Sequence, residues 1–144
     1  MTRMKILLAV DGSKYSRKAA RHLATHLGWF REAPEVHVRN VRPPIPYPGA
    51  AASVGKKAID DYQREEAEAA LAVASKELAA ARIAYTTSYG VGEVATDIRN
   101  FVKKNGIDLV VVGSHGHGAL ANVALGSVAT KLLAVLNVPV LVVR

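Results

Sequence analysis

A chain of 144 residues, half of them apolar, is the size of one domain, and residues 1–144 are read as a single domain that buries its core without covalent staples. The absence of cysteine excludes a disulfide framework, a thiolate metal site and a cysteine nucleophile, and points to the reducing cytoplasm. A net charge of +7 favours acidic partners such as nucleotides or nucleic acid, and no apolar run approaches the roughly 18 residues of a membrane span, so no membrane insertion is expected.

The first element is the apolar run Ile6 to Val10, a strand buried on both faces, which Asp11-Gly12-Ser13 breaks with turn chemistry and a helix cap in Ser13. From Lys14 to Leu27 the apolar positions 20, 23, 24 and 27 share one helical face, and Lys14, Arg17, Lys18 and Arg21 share another, with Gly28 expected to stop the helix. Val36 to Val41 alternates, which predicts a strand with its three valines on one face and polar residues on the other. Residues 42–55 hold four of the six prolines and two glycines, so they are expected to form a flap without regular hydrogen bonding. A long helix is predicted from Ile59 to Arg82, with 67, 70, 71, 74, 78 and 81 as its stripe. A strand follows from Ile83 to Tyr89, then a helix from Val94 to Asn105 that Gly106 stops. Asp108 to Val112 is a second fully buried strand, Val128 to Leu136 a last helix, and Val138 to Val143 a final strand that Pro139 marks as an edge.

Strict alternation of strand and helix leaves few folds: an α/β, doubly wound five-stranded parallel sheet with helices on both faces. In the order 3-2-1-4-5 the first and fourth strands are neighbours. Ligands in such sheets bind at the carboxyl ends of the strands where the winding reverses, so Asp11 to Ser13 and Gly113 to Val128 are expected to share one crevice.

The connection from Gly113 to Gly126 carries the chemistry. It is far longer than the roughly 2 to 6 residues of ordinary strand-to-helix loops, and its glycines at 113, 116, 118 and 126 let a backbone approach a ligand closely. The helix that follows offers unpaired N–H groups and the positive end of its dipole, which is what a phosphate needs. The Ser127 hydroxyl and the N–H groups of Ser127, Val128 and Ala129 are the expected donors. No Lys-Ser or Lys-Thr follows Gly126, which excludes a P-loop, and the first strand-to-helix turn is not a dinucleotide fingerprint. His115 and His117 are imidazoles able to touch phosphate, but two histidines without a third ligand make a poor metal site. Asp11 suits a carboxylate that accepts from ribose hydroxyls or serves as a weak Mg²⁺ ligand; its plain alternative is a cap at a helix start.

Gly113-x-x-Gly116, nine residues, then Gly126-Ser127 resembles the G-2x-G-9x-G-(S/T) motif of the ATP-binding class of universal stress proteins. Val10-Asp11-Gly12-Ser13, Val41 and the closing 138–143 strand extend the likeness over essentially the whole chain. The resemblance implies the adenine nucleotide alpha hydrolase-like fold and a homodimer paired through 138–143. It also implies ATP as ligand, with AMP or ADP as alternatives; Mg²⁺ enters only through Asp11, whose own chemistry makes it a weak candidate ligand. By the same resemblance Ala9, Val10 and Asp11 meet adenine and ribose, backbone at Val41 meets the adenine edge, and Gly113, Ser114, His115, Gly116, His117, Gly118 and Ala119 hold the phosphates with Gly126, Ser127, Val128 and Ala129.

The leading expectation is a cytoplasmic ATP-binding regulatory protein of the stress response, in which nucleotide orders the flap at 42–55 and alters the surface met by an unidentified protein partner. A slow ATPase is the enzymatic alternative, slow because the loop holds no water-positioning Glu or Gln and no arginine finger. A nucleic-acid module using the basic stripe is the third reading; it lacks interleaved aromatics and ranks below a solvated helix face.

Overall fold

The computed structural model describes residues 3–45, 55–118 and 122–144. Five parallel strands, β1 (Lys5–Ala9), β2 (Glu35–Arg42), β3 (Tyr85–Val91), β4 (Leu109–Gly113) and β5 (Val140–Val143), form one sheet in the order β3-β2-β1-β4-β5. Four α-helices connect them: α1 (Lys14–Thr25), α2 (Lys56–Ala80), α3 (Val94–Asn105) and α4 (Ser127–Val135). The doubly wound sheet and its order are as the alternation of elements predicts.

Burial explains why β1 lies at the centre. Ile6, Leu7 and Leu8 are all fully buried, so consecutive side chains face opposite apolar layers; each contributes on the order of 2 kcal/mol by leaving water. Ile6 and Leu8 join Val36, Val38 and Val111 beneath α1 and α2, while Leu7 and Ala9 join Val110, Val112, Ile98 and Leu132 beneath α3 and α4. No helix among the described residues is long and apolar enough to cross a membrane.

Ser13 caps α1 as its type predicts, with its Oγ accepting from the Ser16 N–H. Glu93 caps α3 through both carboxylate oxygens, which accept from the Ala95 and Thr96 N–H groups. Gly106 stops α3 in the left-handed conformation at φ 63°.

Three expectations are corrected. Helix α1 ends at Thr25 with His26 as its cap, and Gly28 sits inside a short 3-10 turn, Leu27–Trp29, in place of a left-handed stop. On β2, Val36 and Val38 share a face, but Val41 has the opposite parity and packs into the other apolar layer; the buried position beside them goes to Asn40, whose Nδ2 donates to Val10 O at 2.8 Å. The two-residue repeat of a strand dictates this. The stripe of α2 runs through 67, 70, 71, 74 and 78 but not Ala81, which caps the helix and is exposed, and it gains Gln63. Of the flap at 42–55, residues 46–54 lie outside the described residues.

Candidate functional site

The neighbouring carboxyl ends of β1 and β4, where Ala9 stands opposite Val112, open into a pocket of roughly 420 Å³, within the usual size range of small-molecule sites. The reversal of winding there produces it, because α1 and α2 leave one face and α3 and α4 the other. Its walls are Ala9, Val10, Asp11 and Ser16 from the β1–α1 region, and Val112, Gly113, His115 to Gly118 and Val123 from β4 and its loop. Gly126 to Ala129 from the start of α4 and Arg39 from β2 complete them.

Asp11 ties the two loops together. Its Oδ1 accepts from the Ser13 N–H at 2.9 Å and the Ser16 hydroxyl at 2.8 Å, and its Oδ2 accepts from the His117 N–H at 3.2 Å. Burial pushes its pKa up, but hydrogen bonds from Ser13 and Ser16 and the charge of His117 outweigh that, so the carboxyl titrates below the ordinary aspartate value. The sequence left ribose acceptor and cap carboxylate open; in the structure Asp11 Oδ1 braces the turn that carries the Ser13 cap. Among the described residues no group of three or more His, Asp or Glu side chains is gathered where it could hold a metal ion.

The glycines of the cradle serve close approach. A Cβ at Gly113 would sit 2.8 Å from Tyr15 Cβ, one at Gly126 would sit 3.0 Å from His115 Cα, and one at Gly116 would meet Asp11 Oδ2. Gly126 N–H donates to Ser114 O at 2.7 Å, which folds the loop back on itself and delivers the start of α4 to the pocket. Gly126 carries no side chain to cap the helix, and the Thr130 N–H is the first to find an intrahelical partner, in Gly126 O. Among the described residues, the N–H groups of Ser127, Val128 and Ala129 have no acceptor. All three residues line the pocket, at the positive end of the helix.

Both histidines line the pocket and are engaged by protein atoms. His115 Nε2–H donates to Val123 O at 2.6 Å and its Nδ1 pairs with Ser114 Oγ at 2.8 Å, so both ring nitrogens bind protein. It staples the loop across the pocket wall. His117 Nε2–H donates to Asp11 O at 2.9 Å, which ties that nitrogen to the turn after β1.

Most residues expected at the site are brought together there. Val41 is not: it stands at the end of β2 outside the pocket walls. Ser114 is also outside them, buried, with its N–H donating to Val143 O at 2.7 Å. Ala119 lies outside the described residues. Ser16, Arg39, Val112 and Val123 line the pocket without having been expected. Ser16 carried a readable signal, since one turn into the helix it points back to the cap. Val123 carried none. The basic stripe is partly engaged within the protein: Arg21 pairs with Glu77 at 3.0 Å, and the Lys14 and Lys18 ammonium groups lie 5.3 and 5.7 Å from the Tyr15 ring centroid.

A doubly wound α/β sheet with a glycine-rich loop and a pocket at its switch point defines the class. The model of the universal stress protein family matches residues 2–144. The universal stress protein YxiE of Bacillus subtilis (strain 168) is 35% identical over 147 residues, spanning 97% of this chain and 98% of the relative. Among solved structures, protein MJ0577 superposes with a TM-score of 0.79 at 27% identity, covering 99% of this chain and 96% of the other. The universal stress protein from Archaeoglobus fulgidus in complex with dAMP superposes with a TM-score of 0.69 at 22% identity over the whole of both chains. The chain belongs to the universal stress protein family.

Proposed function

We propose that residues 1–144 act as one unit that binds an adenine nucleotide, ATP foremost and ADP or AMP as shorter variants, and couples it to a regulatory surface. The observation that carries this reading is the run of three main-chain donors at Ser127, Val128 and Ala129. They lack acceptors among the described residues and border a pocket of nucleotide size. A phosphate at a helix start completes such donors and is further held by the dipole. The apolar floor of Ala9, Val10 and Val112 suits a flat ring. The dAMP complex of the Archaeoglobus fulgidus protein shows an adenine nucleotide on that protein, and this chain shares its fold.

Any Mg²⁺ would be carried by the phosphates and water, given how Asp11 is engaged. The base of the 42–55 segment is anchored to α2, where Gln63 accepts from Arg42 Nε at 3.2 Å and donates to Pro43 O at 2.9 Å. Nucleotide occupancy acting on this anchored segment is the proposed route to a partner surface. β5 is one of the two sheet edges, and a second copy pairing along it would cover Val140 to Val142, which are only half-buried.

Thermal unfolding with and without ATP or AMP tests the reading. A ligand at a hundred times its Kd adds about 2.7 kcal/mol, which in a chain of this size raises Tm by roughly 5 to 10 °C. Absence of any shift with adenine nucleotides at millimolar concentration overturns it.

A further inference from the structure

Arg39 is the one arginine in the wall of the pocket among the described residues, and it stands at the end remote from the cradle. In the sheet register Arg39 is opposite Ala9, and Ala9 is opposite Val112. Arg39 is therefore two strand spacings, roughly 9 to 10 Å, across the sheet from β4. A ligand with its phosphates on Ser127 to Ala129 extends back over Val112 and Ala9, and its far end arrives at Arg39.

The guanidinium is fixed in place. Its Nε donates to Asp97 Oδ1 at 2.6 Å, its Nη2 to Asp97 Oδ2 at 3.0 Å and its Nη1 to Ser88 Oγ at 2.7 Å, while its centre lies 4.7 Å from the Phe101 ring centroid. The two charged side chains are only 14% and 18% exposed. Gly90 faces them from β3, and a Cβ there would press on the ends of both the Asp97 and the Arg39 side chains. A guanidinium offers five N–H groups and no acceptor, so donors remain beyond the three engaged here. Asp97 already balances the charge, which leaves a rigid donor set suited to a neutral acceptor more than to a second phosphate.

We propose that Arg39 is the specificity-determining residue for the nucleoside end of the ligand, donating to an acceptor on the edge of the base. The proposal rests on the nucleotide reading of the pocket. It adds to the base end a side chain on β2, two positions before Val41, whose main chain the family resemblance places at the adenine edge and whose side chain packs with Ala9, Val112 and Ala129. Asp97, Ser88 and Gly90 are positioning residues for Arg39.

Calorimetric titration with ATP and with ribose 5′-triphosphate, which is ATP without its base, tests this on the full chain. Wild type binds ATP the more tightly. Arg39→Lys keeps a cation opposite Asp97 but loses the planar fork, and it is expected to weaken ATP about tenfold while changing ribose 5′-triphosphate less than about twofold. A folded Arg39→Lys variant that binds both ligands as wild type does, or that loses both equally, overturns the proposal. Should that variant fail to fold, Ser88→Ala decides: it frees one corner of the guanidinium and leaves the Asp97 pair, so a smaller loss confined to ATP supports the proposal and no change in ATP binding overturns it. If wild type binds neither ligand, the nucleotide reading itself has failed and this proposal falls with it.

Discussion

His117 reaches from the loop after β4 and meets Asp11 twice: its main-chain N–H donates to Oδ2 at 3.2 Å and its Nε2–H donates to the Asp11 carbonyl at 2.9 Å. The two loops that form the pocket are 106 residues apart in the chain and are joined there by this pair. Since Asp11 Oδ1 is also held by Ser13 and Ser16, the carboxylate fixes the turn after β1, the cap of α1 and the far loop together.

The sign of the pH dependence follows. The Asp11 pKa is lowered in the folded state, so its ionised form adds stability above the unfolded value of about 3.9, and that contribution is lost as pH falls through the lower folded value. Urea unfolding of wild type and Asp11→Asn should therefore show wild type more stable from pH 7 down to about 4, with the gap closing below that. A gap that widens on acidification would show that the carboxylate is not held as described.

Proline at position 127 separates fold from ligand. Ser127 is the first residue of α4, its N–H has no acceptor among the described residues, and Gly126 before it is already extended at φ −71°, ψ 166°, as a residue preceding proline must be. Ser127→Pro should change the stability of the free protein by less than about 1 kcal/mol, yet remove most of the Tm shift caused by ATP. A proline variant that keeps the full shift would show that the amide is not a ligand donor.

Gly28, expected from sequence to stop a helix, and Gly113, expected to allow close backbone approach, should respond oppositely to alanine. At Gly113 the new methyl would press on Tyr15 at 2.8 to 2.9 Å, backbone included, so Gly113→Ala should destabilise by about 1 to 3 kcal/mol. At Gly28 nothing lies within 4 Å and φ is not positive, so Gly28→Ala should be neutral or stabilise by up to about 1 kcal/mol. Denaturant midpoints measure both. A destabilised Gly28→Ala would restore the left-handed helix stop that the structure removes.

Much of the site was readable because it is local. The apolar runs at β1 and β4, the Ser13 cap and the spacing of Gly113, Gly116 and Gly126 are each set by residues within one or two turns of each other, and the alternation of elements left little freedom in the sheet order. Val41 was placed on the wrong face because its valine identity was read ahead of its odd offset from Val36 and Val38. Arg39 went unnoticed as a surface-type residue on an alternating strand, although its partners Ser88 and Asp97 lie 49 and 58 positions away.

What the amino-acid order determined by itself is a parallel α/β sheet with a glycine-rich cradle at a helix start, since periodicity, capping and turn chemistry act over a few residues. Only the tertiary structure decided that the histidines bind protein and that Asp11 joins two loops. It alone carried a half-buried ion pair on β2 to the far end of the pocket. Those outcomes depend on which distant side chain reaches a polar atom first once the strands are in register, and the chain itself carries no local signal for that.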